Sequence, residues 1–464
     1  MKSKRQTLSI FGLSMLNVAA VLSLRGLPLM AETGLTMIFY LFFSAVFFLI
    51  PCSLVSAELA SAWPEAGGVY HWVKEALGSK WGFLAIWLQW VQNIIWFPTV
   101  LAFSASAFAY FLFKPHLATS NQFIAFYIII VYWSSTLLSF RGLSFIERLT
   151  SMAVILGTII PGVVIIILGA LWCFTGKPIM FLIDKNSFMP SLSNFNNISF
   201  LAGIVLLFSG MENGAVHVRD LSDPKKQYPK TVFIAVSIII ILFSLGSFSI
   251  AAVLPKTDIS LTAGIMESFD KMLDIYHLHW LLPILGLLIA FGSVGGVMAW
   301  ITGPSKGLLA TAKCGEIPPF LAHTNKAGIQ THILIIQALI VTVLASLYLV
   351  IEDVSVAFFL LSAMTVTLYL IVYFLMFIAV LLLRYTEPEV VRGYRIPGGT
   401  LGVWLVSIIG LISVSFAFVI AFFPPTELHI SSPKIYFWTV VGGTLFFTGA
   451  AFLMQKLKKL SWIK

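Results

Sequence analysis

The chain has 464 residues, of which 59% are hydrophobic and only 10% are charged, with a mean hydropathy of +0.98. Because roughly a quarter of the residues are charged in soluble globular domains, this composition excludes that class and predicts a polytopic membrane protein. The net charge of +9 is explained by the topology described below and gives no reason to expect nucleic-acid binding.

Twelve apolar runs are long enough to cross a bilayer, which takes about 20 residues in a helix. They cover residues 8–29, 35–59, 81–113, 123–140, 145–173, 198–218, 231–253, 280–302, 332–350, 355–383, 401–423 and 435–454. An even number of spans places both termini on one side of the membrane. No loop is long enough to fold by itself, so residues 1–464 are predicted to form one membrane domain of the all-α class.

Lysine and arginine indicate which side that is. With the N-terminus in the cytoplasm, 21 of the 28 Lys and Arg residues fall in inner segments and 6 in outer segments, while Arg25 lies inside a span. The positive-inside rule therefore predicts cytoplasmic termini. No small-residue cleavage motif follows the basic N-terminus, so the first span is not interpreted as a removable signal peptide.

The first span carries a polar interruption at residues 23–28, which read Ser-Leu-Arg-Gly-Leu-Pro. An arginine at membrane depth costs on the order of 3 kcal/mol unless it is paired or hydrated. Pro28 suits the first turn of a restarted helix, where its missing N–H is harmless. We therefore predict a broken helix; the alternative is that Arg25 extends to the outer interface.

The sixth span is interrupted at residues 209–214, which read Ser-Gly-Met-Glu-Asn-Gly. A carboxylate in the middle of a span predicts a functional site. The flanking glycines lower the cost of leaving helical geometry, and unwound backbone at membrane depth is tolerated where it lines a cavity. A second broken helix is predicted here. The alternative is a glycine kink in which a neighbouring helix satisfies Glu212.

Breaks in the first and sixth spans suggest two related halves. Five spans are an odd number, so a second five-helix unit enters the membrane from the opposite face, as in inverted-repeat transporters. The predicted units are residues 8–173 and 198–383, with helices 11 and 12 at residues 401–455. The two breaks are expected to meet near the midplane, where Arg25 and Glu212 would compensate each other's charge.

The eighth span runs from Trp280 to Trp300, which predicts a tryptophan at each membrane interface. Within it, glycines 292, 295 and 296 are expected mainly to allow close helix packing. His277 and His279 have no third ligand nearby, and the three cysteines have no paired spacing. The sequence therefore predicts no disulfide, no metal site and no cofactor.

Several motifs resemble the amino acid–polyamine–organocation superfamily, and in particular the bacterial glutamate/γ-aminobutyrate antiporters. The resemblance covers nearly the whole chain. Its motifs are Ala57-Glu58-Leu59, Pro64-x-Ala66-Gly67-Gly68-Val69-Tyr70, Asp223-Pro224 to Tyr228-Pro229, Leu254-Pro255, Ile259-Ser260-Leu261-x-Ala263-Gly264-Ile265-Met266, Gly303-Pro304-Ser305-Lys306-Gly307, Gly315-Glu316-Ile317-Pro318, Ile396-Pro397-Gly398-Gly399 and Phe423-Pro424-Pro425.

The resemblance implies an antiporter of the bacterial inner membrane that works by alternating access and is not an enzyme. Substrate would lie between the two breaks, where N–H groups after Gly26 would receive its carboxylate and carbonyls near residues 208–210 would receive its amino group. The predicted substrate-binding residues are Ser23, Leu24, Arg25, Gly26, Phe208, Ser209, Gly210, Glu212 and Asn213. The expected partners are an amino acid, its counter-substrate and the lipid bilayer.

Two alternatives stay open at this stage. A proton- or sodium-coupled symporter would use the same scaffold, with Ser293 as an ion ligand, although the fifth span has no lysine to replace a bound cation. The identity of the substrate is open as well, because Arg25 and Gly296 depart from the family pattern. A homodimer is a possible assembly, and the sequence does not fix the oligomeric state.

Overall fold

The computed structural model describes residues 9–63, 68–181, 185–191, 195–212, 221–351, 353–425 and 432–458, and within these ranges all regular secondary structure is helical. The α-helices are α1 (Ile10–Val21), α2 (Gly26–Ala31), α3 (Met37–Phe43), α4 (Ile50–Ala62), α5 (Val69–Leu77), α6 (Ser79–Phe111), α7 (Asn121–Ser139), α8 (Leu143–Val154), α9 (Ile160–Phe174), α10 (Phe200–Leu207), α11 (Pro224–Val253), α12 (Gly264–Ile275), α13 (Leu282–Lys313), α14 (Thr331–Ala345), α15 (Leu347–Val350), α16 (Val354–Thr386), α17 (Gly399–Ile420) and α18 (Pro433–Lys456).

In the part of the chain that the structure describes, ten helical segments are long and apolar enough to cross a membrane. They match the predicted spans two to five and seven to twelve, and they are Gly34–Ala62, Ser79–Phe111, Asn121–Ser139, Arg148–Phe174, Lys226–Val253, His279–Lys313, Thr331–Val350, Val354–Thr386, Gly399–Ile420 and Pro433–Lys456. In the first and sixth apolar runs the helix is interrupted, as the sequence predicts.

Burial separates the central helix from the peripheral ones. The apolar stretch of α6 is 83% buried, whereas that of α18 is only 17% buried. Helix α6 packs against both α13 and α16, which are also long helices. On α7, the side chains of Phe126, Ile130 and Leu137 are exposed along one face, as expected of a surface covered by lipid.

The two interruptions lie against each other. Helix α1 ends at Val21 and α2 begins at Gly26; α10 ends at Leu207 and helical geometry resumes at Met211. A Cβ on Gly26 would lie 2.6 Å from the Leu207 side chain. Gly210 has φ +119°, and a Cβ there would lie 2.8 Å from the Ala20 carbonyl oxygen. Glycine at these positions therefore allows the close contact between the breaks.

Candidate functional site

A cavity lies between the two helix breaks, α6, α13 and α16. Its wall also includes a single π-helical turn between α8 and α9, at residues 155–159. Such turns occur often at functional sites. The polar and aromatic side chains of this wall include Ser23, Arg25, Gln92, Asn93, Trp96, Ser209, Ser293, Trp300 and Tyr369.

Arg25 contributes a full positive charge to this wall and has few protein partners. Its side chain is only 4% exposed. One nitrogen, Nη1, donates a hydrogen bond to the Thr99 hydroxyl at 3.1 Å, and Nε has no hydrogen-bond partner among the described residues. The guanidinium carbon lies 5.8 Å from the Trp96 ring centroid and 5.5 Å from that of Phe358, which are cation–π distances. No carboxylate within 4 Å neutralises Arg25 in the described part of the chain.

Glu212 has a different set of partners. It accepts hydrogen bonds from the hydroxyls of Tyr369 and Tyr373, the latter at 2.7 Å. The Tyr373 hydroxyl also accepts the Gly210 N–H at 2.9 Å, so α16 holds the second break in place. Glu212 is 3% exposed and does not line the cavity, and no ion pair joins it to Arg25. The predicted Arg25–Glu212 compensation is therefore absent, and the neighbouring-helix alternative describes the surroundings of Glu212 better.

The restarted first helix differs from the prediction in one respect. The N–H groups of Gly26 and Leu27 are not free, because they donate to the carbonyls of Ser23 and Leu24 at 3.1 Å each. Pro28 has no N–H to offer. The break therefore turns tightly enough to satisfy its own amides, and positive charge at this end of the cavity comes from the Arg25 side chain.

The nine predicted substrate-binding residues fall into three groups. Ser23, Leu24, Arg25 and Ser209 line the cavity. The others that the structure describes lie behind this wall and shape the breaks, and they are Gly26, Phe208, Gly210 and Glu212. Asn213 lies outside the described residues. Within the described ranges, no three His, Cys, Asp or Glu side chains gather where a metal ion could bind.

Sequence reasoning missed the contribution of the unbroken helices. Gln92, Asn93 and Trp96 enter the cavity from α6, and the Asn93 amide nitrogen is buried without a hydrogen-bond partner. Trp300 was predicted at a membrane interface but lines the cavity, with its ring centroid 6.0 Å from that of Trp96. The polar pair Gln92-Asn93 inside an apolar run was a signal that could have been used.

The glycines of α13 serve two purposes. A Cβ on Gly292 would lie 2.5 Å from the backbone of Gly157, and one on Gly295 would lie 2.2 Å from the Ala153 Cβ. These two positions confirm the prediction of close helix packing. Gly296 instead lines the cavity, and a Cβ there would meet nothing within 4 Å. It therefore leaves space in the cavity wall.

Comparison with known proteins identifies related transporters over nearly the whole chain. Residues 7–446 match the family model for amino acid permeases. An uncharacterized transporter of Legionella pneumophila is 37% identical, with 98% of each chain covered. The glutamate/γ-aminobutyrate antiporter of Lactococcus lactis is 32% identical over 93% of this chain and 87% of its own length. A probable agmatine/putrescine antiporter of the same organism is 24% identical over 90% and 89%.

Proposed function

Since this chain belongs to the amino acid permease family, we propose that it exchanges amino acids across a bacterial inner membrane by alternating access. The observation that carries this proposal is the buried guanidinium of Arg25, which faces a cavity between two helix breaks and has no carboxylate partner among the described residues. A buried cation is costly unless an anion or hydrogen bonds compensate it. A carboxylate on the substrate would supply both.

The proposed architecture has twelve spans, with α1 and α2 together forming the first and α10 beginning the sixth. Residues 8–173 and 198–383 form two inverted five-helix repeats, and the termini lie in the cytoplasm. The contact between the breaks supports this arrangement, because inverted repeats place their broken helices together at the midplane. Cysteine replacing Lys456 should then resist an impermeant thiol reagent in intact cells, and rapid labelling would contradict the orientation.

We infer that the substrates share a terminal carboxylate. Arg25 offers the forked guanidinium geometry that suits a carboxylate, and Asn93 offers a second donor in the same wall. Both compounds in the name of the L. lactis antiporter, glutamate and γ-aminobutyrate, carry such a group. The rings of Trp96, Trp300 and Tyr369 can pack against the aliphatic part of the substrate.

Counterflow in proteoliposomes tests this proposal. Vesicles containing purified protein are loaded with unlabelled glutamate or γ-aminobutyrate, and uptake of labelled glutamate is followed. We expect uptake only into loaded vesicles, and Asn93→Ala should raise the half-saturation concentration about 5- to 10-fold, the loss of one hydrogen bond. Uphill uptake into empty vesicles under a sodium or proton gradient would indicate a symporter instead.

A further inference from the structure

A second, smaller cavity lies beyond Arg25, between α2, α10 and α16. Its wall includes Leu29, Ser199, Phe358 and Ser362. Along α16, Ser362 precedes Tyr369 of the central cavity by about 10 Å of helix rise. Ser199 likewise lies directly before α10, the helix that ends at the second break. The second cavity is thus displaced from the central one toward the N-terminal ends of α10 and α16.

Arg25 separates the two cavities and lines both of them. Its guanidinium lies between two rings, of which Trp96 belongs to the central cavity and Phe358 to the second one. The aromatic faces hold the cation in position without neutralising it. The guanidinium donors can therefore serve a ligand on either side after a small rotation of the side chain.

The wall of the second cavity contains two polar groups without partners. Among the residues that the structure describes, Arg25 Nε has no partner, and neither does the hydroxyl of Ser362, whose side chain is 5% exposed. A buried polar group without a hydrogen bond costs about 1–3 kcal/mol. The other hydroxyls in this wall are already satisfied, since Ser199 donates to the Asn196 carbonyl and Tyr436 to the Ala421 carbonyl. Two unsatisfied donors in one cavity wall indicate a place for an oxygen ligand.

We propose that the second cavity is a subsite for a substrate carboxylate, which shares Arg25 with the central cavity. Among the described residues that line the second cavity, Arg25 and Tyr436 are the only ionisable side chains. The local charge is therefore positive and disfavours the binding of an ammonium group. In this conformation the space holds about one water molecule. A carboxylate enters when the Arg25 and Phe358 side chains move aside, and Arg25 then transfers it from one cavity to the other. The identity of the carboxylate as part of an amino acid depends on the proposed function.

Charge-selective labelling of a cysteine tests the subsite in purified protein. Cys52, Cys173 and Cys314 are first replaced by serine, and Ser362→Cys is introduced. We expect an anionic methanethiosulfonate to react at least 10-fold faster than a cationic one, after correction for the ratio measured with the exposed Ser346→Cys. Adding Arg25→Gln should remove this preference, and L-glutamate should slow the reaction. Ser199→Cys, in the same wall, provides a second position if Ser362→Cys folds poorly.

Equal rates for the two reagents would overturn the proposal, as would a preference that survives Arg25→Gln or a rate that L-glutamate leaves unchanged. Failure of both cysteines to react also excludes an accessible subsite. The labelling needs no vesicles and no exchange. If the anionic preference and the protection are found while counterflow is absent, the proposed exchange is wrong and the subsite remains.

Discussion

Two buried charges in this protein differ sharply in how the chain satisfies them. Glu58 is 1% exposed and Arg25 is 4% exposed. The Glu58 carboxylate accepts hydrogen bonds from Nε and Nη2 of Arg384, each at 2.5 Å, and from the Ile396 N–H at 2.8 Å. Arg392 Nε lies 3.4 Å from the same carboxylate. Arg25 donates one hydrogen bond to a neutral hydroxyl. Burial alone therefore does not distinguish a structural charge from a ligand-binding charge.

The two charges differ in how much hydrogen-bonding capacity they have left for a ligand. The cluster of Glu58, Arg384 and Arg392 joins α4 to the end of α16 and the following loop. Its carboxylate is already hydrogen-bonded and ion-paired within the protein. Arg392 is further occupied by the carbonyls of Leu383, Glu387 and Val390. Arg25 keeps unused donors beside a cavity. A buried charge with complete partners is a structural part of the fold, whereas one without them indicates a binding site.

The largest expected effect comes from removing the charge of Glu58. In Glu58→Gln, the buried Arg392 and the partly buried Arg384 lose their counter-charge, and breaking such a buried pair costs about 3–5 kcal/mol. Thermal unfolding of purified protein in detergent should show a clear loss of stability. Glu75→Gln, on the exposed face of α5, is the matched control and should change little. Equal stability of the two variants would remove the structural half of the comparison.

Arg25→Ala should have the opposite effect, reducing transport and leaving stability intact. No carboxylate loses a partner, so the unfolding temperature should stay at or above that of the parent protein. Counterflow of glutamate should fall by about 10- to 100-fold, because hydrogen bonds to charged groups contribute about 1.5–3 kcal/mol. Arg25→Lys keeps the charge but loses the fork, and should raise the half-saturation concentration more for acidic than for neutral amino acids. Unchanged counterflow by Arg25→Ala would show that this charge binds no substrate.

Tyr373→Phe tests an intermediate case, in which neutral hydroxyls satisfy a buried carboxylate. The variant removes the bond to Glu212 and the acceptor of the Gly210 N–H. We expect a stability loss of about 1–2 kcal/mol and slower counterflow, because the second break loses its attachment to α16. Tyr436→Phe, which removes one bond to a neutral carbonyl, is the control. A smaller loss in Tyr373→Phe than in Tyr436→Phe would contradict this role.

These contrasts also explain which features could be predicted from the sequence. Spans and breaks are local: an apolar run of sufficient length, or a Gly and Pro interruption, identifies them without knowledge of any other segment. The partners of the charges are not local. Glu58 and Arg384 are 326 residues apart, and Glu212 and Tyr369 are 157 apart. The sequence thus located Arg25 and Glu212 correctly at the breaks, but only the packing of α16 revealed which of them faces the cavity.

Glu267 extends the comparison to a carboxylate outside the candidate spans, in the first turn of α12. Its pKa is raised to about 7, chiefly by burial and to a smaller extent by the nearby Asp258, while a hydrogen bond from the Ser260 backbone opposes the shift. Because the folded state favours the protonated form, this contribution to stability is complete below the ordinary pKa of about 4.5 and is lost as the pH rises through 7. We expect thermal unfolding to show a loss on the order of 1 kcal/mol between pH 5 and pH 8. Glu267→Gln should remove most of that slope.

The control is Asp270. Its pKa is raised in the same direction, chiefly by burial, although His279 lowers it. Asp270→Asn therefore measures the part of the pH dependence that Glu267→Gln leaves. If Glu267→Gln keeps the full parental slope, the titrating group lies elsewhere, and Glu267 is as well accommodated in its charged form as Glu58 is by its arginines.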